Sequence, residues 1–315
     1  CYAGSYHLSE AERKDLNTLL KRIFAVEVKE DLILDYLEEH RRRSLAGDVA
    51  RVALDVEDGK TPVDTLLDLF GKFEASNLQV DLPTPVKMDL KALYESQIAT
   101  PGLRWRLNWL NKSLGSLRKG DFGFIFARPE TGKTTFLASE ASHMVSQVPD
   151  GDVLWFNNEE QGNKVAIRCY QAALGLTTDQ LFNNQDINDE RFKELGGERI
   201  KIYDFEDSSH AGRIETILKE TNPKLIILDQ IDKIKGFKND RYDLEMKAIY
   251  QWAREMAKKY APVIAVCQAG GDAEGKLFLT MDMVDSSRTA KQGEADWILG
   301  IGKEQDNFSR ARYLN

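Results

Sequence analysis

With 315 residues, 42% of them apolar and 30% charged, the chain can build one large core and a smaller companion domain, and it reads as globular, not fibrous or disordered. A net charge of −8 excludes a protein that coats nucleic acid over its whole surface, since phosphate binding draws on clustered Lys and Arg, yet it leaves room for a local basic channel. The three cysteines, Cys1, Cys169 and Cys267, are isolated and support neither a disulfide framework nor a zinc module. No apolar run approaches the roughly 20 residues of a membrane span, and the opening segment lacks the apolar stretch of a secretory signal. These features predict a cytoplasmic protein of a bacterial or phage-infected cell, with no membrane partner.

Residues 1–78 read as a small helical domain. Ser9 and Glu12 have capping-box spacing, with Leu16, Leu19, Leu20 and Ile23 at the helix period beyond them. A second helix is expected over Lys29–Arg43, with Leu32, Ile33, Tyr36 and Leu37 on one face. It ends in the basic run HRRRS, read as a solvated helix end complementing the C-terminal dipole. Pro62, Val63 and Leu66–Phe70 suggest a further helix. Between Ala75 and Thr100 two prolines and mixed polarity mark a linker, placed at 79–101, with one short helix near Leu90–Ser96.

From 102 to 315 apolar strands alternate with helical patterns. After a turn at Lys119–Gly120–Asp121 the strands are FGFIFA (122–127), VLWF (153–156), IKIYDF (200–205), KLIILD (224–229), PVIAVCQ (262–268) and DWILGIG (296–302). Helices are expected over Lys164–Leu174, Arg213–Glu220 and Leu244–Lys259. This order predicts an α/β domain with a central, mainly parallel sheet covered on both faces. Trp105, Trp109 and Trp252 fall in amphipathic patterns and read as packing residues.

Strand FGFIFA runs into RPETGKTT, whose Gly132, Lys133 and Thr134 close a Walker A pattern between a strand and a helix, although Ala127 stands where the first glycine is usual. Ala127, Arg128, Pro129, Glu130, Thr131, Gly132, Lys133, Thr134 and Thr135 are the expected nucleotide cradle: backbone N–H groups at the helix start hold phosphates, Lys133 meets the β- and γ-phosphates, and the Thr134 hydroxyl can ligate Mg²⁺. Asp229 ends an apolar strand at the Walker B position, where a carboxylate can hold the same ion. Glu159 and Glu160 follow the strand VLWF; one of the two should point inward to orient or deprotonate water. Gln268, ending PVIAVCQ, either senses the γ-phosphate or simply closes its strand. Two basic loops come after these. Lys233, Lys235, Lys238 and Arg241 are either ordinary surface charges or phosphate contacts. Ser286, Ser287, Arg288, Thr289 and Lys291 mix cations with hydroxyls in a way that suits a nucleic-acid backbone without base reading.

From Gly102 onward the chain resembles the DnaB-type replicative helicases, closest to their phage branch, because ARPETGKTTF carries that family's Ala-Arg-Pro in place of glycine. The resemblance implies a RecA-like P-loop fold, a homo-oligomeric hexameric ring with ATP and Mg²⁺ between subunits, and single-stranded DNA in a central channel. It implies that Glu159 is the catalytic glutamate, Asp229 the Walker B aspartate, Arg168 an arginine stacked on adenine and Gln268 the γ-phosphate sensor. Ser286–Lys291 takes the place of the DNA-gripping loop, without the usual Arg-Glu-Ser-Gly wording. A trans-acting Lys-x-Arg finger is expected beyond Asn315, past a strand that ARYLN begins, so the chain is expected to be incomplete at that end. Arg310 and Arg312 come too early for that finger.

The expected activity is ATP-driven translocation on single-stranded DNA with duplex unwinding, with a primase or helicase loader as a possible partner. A RecA- or RadA-like recombinase and a non-translocating ATP switch, such as a loader or scaffold, are the competing expectations.

Overall fold

The computed structural model describes residues 30–76, 85, 88–99, 101–205, 209–237, 241–285, 288–304 and 311–315. Two compact units divide between Val86 and Lys87. The capping box at Ser9 and Glu12 and the helix expected beyond it lie outside the described residues.

In the first unit, helix α1 (Glu30–Glu57) packs against helix α2 (Val63–Ser76). The HRRRS run does not end its helix: α1 continues through it for more than three further turns. The next residues, SLAGDVARVALDVE, contain no proline and are rich in Ala, Leu and Arg, so nothing stops propagation until Asp58 and Gly59. Gly59 adopts φ 71°, and the Lys60 amide folds back to the Asp55 carbonyl at 2.8 Å.

The second unit is built on a seven-stranded sheet of order β3-β2-β4-β5-β1-β6-β7. The strands are β1 (Phe122–Ala127), β2 (Asp152–Asn157), β3 (Ile200–Asp204), β4 (Pro223–Asp229), β5 (Val263–Gln268), β6 (Trp297–Gly302) and β7 (Tyr313–Leu314). All pairings are parallel except β6 with β7. The chain-order helices are α3 (Leu90–Ala99), α4 (Asn108–Ser113), α5 (Lys133–Val145), α6 (Gly162–Leu174), α7 (Thr178–Asn183), α8 (Gln185–Glu194), α9 (Ala211–Glu220), α10 (Tyr242–Lys259) and α11 (Arg288–Gln292). The expected parallel sheet is present, and each apolar run forms its strand.

The period-two alternation of the strands splits the core into two layers. Phe122, Phe124, Phe126, Leu154, Phe156, Ile226 and Leu228 face α9 and α10, where they meet Ile214, Leu218, Ile249, Tyr250, Trp252 and Met256. Ile125, Ala127, Val153, Trp155, Leu225 and Ile227 face the opposite way, against Leu137, Ala141 and Met144 of α5 and Val165 and Cys169 of α6. Trp105 and Trp252 are buried as expected, whereas Trp109 is 52% exposed on α4 and packs no core.

Helices α7 and α8 are absent from the sequence reading, although Thr177 and Gln180 form a complete capping box that announces α7. The low apolar content of QDINDERFKE hid α8, which buries little beyond Phe192 and Asn188.

Gly123 sits in register opposite Trp297, and a Cβ there would lie 2.1 Å from the indole ring. That indole is also held edge-on by Trp105 at 5.3 Å, so it has nowhere to retreat. Gly123→Ala is therefore expected to destabilise the second unit by about 1–3 kcal/mol; chemical denaturation of the two proteins with tryptophan fluorescence as the probe measures it.

Candidate active site

Because β1, β2, β4 and β5 run the same way, the segments leaving their C-terminal ends share one edge of the sheet. The register places Asn157 beside Asp229 and Ala127 beside Gln268. A cleft of about 380 Å³ opens at this edge, lined by Glu130, Gly132, Lys133, Thr134, Thr135, Glu159, Glu160 and Arg168. Seven of these eight stand out in the sequence as candidate site residues, and Glu160 as the alternative to Glu159.

Two left-handed residues shape the loop: Glu130 at φ 56° and Gly132 at φ 104°. Alternation of this kind turns successive backbone N–H groups toward one concavity, which is how a chain holds an anion at a helix start. Gly132 is required for its dihedral alone, since a Cβ there would touch nothing closer than 3.9 Å. Lys133 opens α5 and is buried, its ammonium 3.3 Å from the carbonyls of both Ala127 and Arg128. Burial lowers the affinity of that ammonium for its proton, while Glu159 and Asp229 pull the other way.

Asp229 is fully buried, and neither carboxylate oxygen meets the geometry of a hydrogen bond, the Trp155 indole N–H being the donor nearby. Burial, reinforced by the negative charge of Glu159, pushes its carboxyl up to about 7. An orphaned buried carboxylate is costly unless something positive meets it. Thr134 is buried at the same helix start. Among the described residues no group of three or more His, Cys, Asp or Glu could hold a metal on its own. Thr134 and Asp229 therefore suit a hard cation such as Mg²⁺, which takes one or two protein oxygens and completes its shell from phosphates and water.

Glu159 and Glu160 diverge, yet both line the cleft. Glu160 is ion-paired with Arg168 of α6, both half-buried. Glu159 turns toward β4, where Gln230 Nε2 donates to its Oε2 at 2.9 Å. Arg168 is thus engaged with a carboxylate at the cleft wall, the role expected of an ordinary helix arginine; the adenine contact remains a proposal. Arg128 points away from the cleft: its Nε donates to Glu274 Oε2 at 2.9 Å and its Nη1 to the Ala269 carbonyl at 3.1 Å, tying the loop to the segment after β5. Gln268 accepts the Asp285 amide through its carbonyl at 3.1 Å, joining β5 to a later segment.

The basic loops divide. Lys291 does not present its charge to solvent. It is fully buried, donating to Asp232 Oδ2 at 2.6 Å and to the Asp285 carbonyl at 2.8 Å, over the Tyr250 ring. The charge of Lys291 is thus met inside the protein by Asp232 and not presented to solvent, unlike the exposed loop cation that its position in the sequence suggests. Lys235 is exposed. Arg288 and Thr289 lie on α11, and Ser286 and Ser287 fall outside the described residues, as do Lys238 and Arg310. Arg312 has no site role in the sequence reading, yet its Nε donates to the Thr131 carbonyl at 2.7 Å on the flank of the loop. Only the antiparallel pairing of β7 brings it there, a contact no local pattern could announce.

A family model described as an AAA domain matches residues 93–274. The replicative DNA helicase DnaB of Buchnera aphidicola (subsp. Acyrthosiphon pisum) is 27% identical over 215 residues, covering 62% of this chain and 46% of that protein. The replicative DNA helicase DnaB of Mycoplasma pneumoniae is 25% identical over 239 residues, covering 69% and 50%. The chain thus spans about half the length of the curated relatives it matches. Among solved structures, a DnaB-like replicative helicase studied for its interactions with primase superposes with a TM-score of 0.57 at 18% identity, over 89% of this chain and 70% of the other. A second solved structure, an isolated ATPase domain, superposes with a TM-score of 0.58 at 19% identity, over 70% and 85%. The resemblance to DnaB-type proteins and the RecA-like fold are borne out by these matches. With the family model spanning more than half of its length, the chain belongs to the AAA domain family.

Proposed function

We propose that this chain is the motor portion of an ATP-dependent replicative DNA helicase, hydrolysing ATP and coupling the cycle to movement along single-stranded DNA. The observation that carries the reading is the meeting of Lys133, the orphaned Asp229 carboxylate and the Gln230-held Glu159 at one sheet edge beside a left-handed phosphate loop.

In this reading the loop 127–135 cradles the triphosphate and Lys133 turns from loop carbonyls to phosphate oxygens. Thr134 and Asp229 would hold Mg²⁺, which supplies neutralisation of charge on the phosphates. Glu159 orients a water and takes its proton as the water oxygen bonds to the γ-phosphorus. The bond to the β–γ bridging oxygen then breaks, and its electron pair leaves on ADP. Arg168 lines the cleft, where a base could stack on it, and Gln268, in register with Ala127, would follow the γ-phosphate.

DNA contact is proposed for Lys235 and the segment 286–289, by backbone tracking and without Lys291. A homo-hexameric ring fits the exposed apolar side chains of Met88, Leu90, Tyr94 and Ile98 on and beside α3, within the stretch proposed to strap onto the next subunit. The proposed domain plan keeps 1–78 as a helical domain, 79–101 as the strap-bearing linker and 102–315 as the motor. A primase or helicase loader is a further proposed partner. Among the described residues no helix is long and apolar enough to cross a membrane.

Three outcomes are expected. Lys133→Ala should lose ATP turnover by about 10²-fold or more, and Glu159→Gln should still bind ATP while turning it over about 10²–10⁴-fold more slowly; steady-state ATPase and nucleotide-binding assays check both, and normal turnover by either variant rejects the corresponding role.

The second outcome concerns Asp229. The unfolded chain releases this proton near pH 4 and the folded chain near 7, so folding takes up a proton between those values. Stability of the nucleotide-free protein should fall as pH rises from about 4 to about 7 and stay lowered above it. Asp229→Asn should abolish that fall and melt higher than the wild type at pH 8, while losing the stabilisation that Mg²⁺ and ATP give the wild type; melting curves at pH 5 and 8 read it directly.

Third, deleting residues 75–100 should abolish ring formation. Electron microscopy that still finds closed rings rejects the strap, and open filaments from the intact chain would favour a recombinase instead.

A further inference from the structure

Gln230 is buried and adopts φ 58° and ψ 61°, one of only two non-glycine residues in the left-handed region among the described residues. Glutamine has no local reason to be there: the region is tolerated by glycine and, through short-range side-chain bonds, by Asn and Asp. A strained dihedral persists only where the surroundings over-determine it, and such residues gather at functional sites. The other instance, Glu130, belongs to the phosphate loop itself.

The left-handed turn has a definite result. It lets the chain leave β4 directly after Asp229 while sending the Gln230 amide sideways to β2, where Nε2 meets Glu159 Oε2 at 2.9 Å. Two further side-chain bonds cross the same seam. Asn158 Nδ2 donates to the Asp229 carbonyl at 3.3 Å, and Lys233 Nζ donates to the Asn158 carbonyl at 3.1 Å. The Lys233 amide in turn donates to the Gln230 carbonyl at 3.0 Å, closing the short turn. The strand end that carries Asp229 and the segment that carries Glu159 are therefore stitched together, and of these bonds it is that of Gln230 which reaches a carboxylate that the hydrolytic step would use.

We infer that Gln230 is a positioning residue for hydrolysis: its amide occupies one oxygen of Glu159, fixes the rotamer of that side chain across the β2–β4 seam, and leaves Oε1 to receive the proton of the attacking water. The inference rests on the ATPase reading above. It gives a use to a glutamine held in a conformation that costs stability, since a carboxylate free to swing would lose the alignment on which proton transfer from a bound water depends.

The test uses the full chain with Gln230→Asn, which tolerates the left-handed dihedral but is one methylene too short, and Gln230→Gly, which fits the dihedral and lacks the amide. Glu159→Gln and the Glu159→Gln/Gln230→Asn pair complete the cycle. ATP turnover should drop about 10–100-fold in kcat for both Gln230 changes, with KM and the affinity for a non-hydrolysable ATP analogue within about threefold of the wild type. The double variant should be no slower than Glu159→Gln alone, because Gln230 acts through that carboxylate. Near-normal kcat in Gln230→Asn, a loss of analogue binding in step with kcat, or full additivity in the double variant would overturn the role of Gln230 and leave the ATPase reading standing. Undiminished turnover by Glu159→Gln would instead remove the base itself, and this inference with it.

Discussion

Six strands running in one direction bring every exit toward a following helix or turn to one edge of the sheet, and the candidate site is assembled there. The register then decides which exits become neighbours. Asn157 lies beside Asp229 and Ala127 beside Gln268, so the loop 127–135, a glutamate and an aspartate separated by long stretches of sequence arrive at one edge of the sheet, where Lys133 and Glu159 line the cleft and Asp229 lies buried. The two apolar layers hold that arrangement rigid, since the central strands are gripped on both faces by buried side chains.

At this edge of the sheet the protein tolerates states that a purely structural core would not. Asp229 lies buried with both oxygens unpartnered, Lys133 is buried between carbonyls and carboxylates, and Glu130 and Gln230 hold left-handed dihedrals. Each is unfavourable in isolation. Together they are the features on which the proposed binding of a polyanion with a cation rests, because such a ligand would meet the lysine, the buried carboxylate and the turned loop at once.

The α/β framework was legible because short apolar runs bounded by polar turns are what a buried parallel strand requires. The strand, turned loop and helix around 127–135 were legible because the residue types there are tied to a backbone shape. Features that escaped the sequence depended on tertiary partners or on longer stretches of chain. The HRRRS run resembles a helix end because its charges suit a C-terminus, but helix termination is decided by the downstream residues, and SLAGDVARVALDVE propagates. The surface helix α8 carries too few apolar residues for a period to show. Lys291 looks like a free cation in the sequence, and the Asp232 carboxylate holds it. The Gln230 bond to Glu159 was invisible, since it needs both the register of β2 with β4 and a dihedral that glutamine does not advertise.

The burial of Lys291 against Asp232 bears on how this protein can be re-engineered. Leaving a buried ammonium without its acid is far more damaging than replacing both partners by apolar groups. The segment carrying Lys291 is consequently not an interchangeable cassette. Grafting residues 285–292 onto another scaffold, or importing a foreign loop here, succeeds only if position 232, on a different strand exit, is exchanged in the same step.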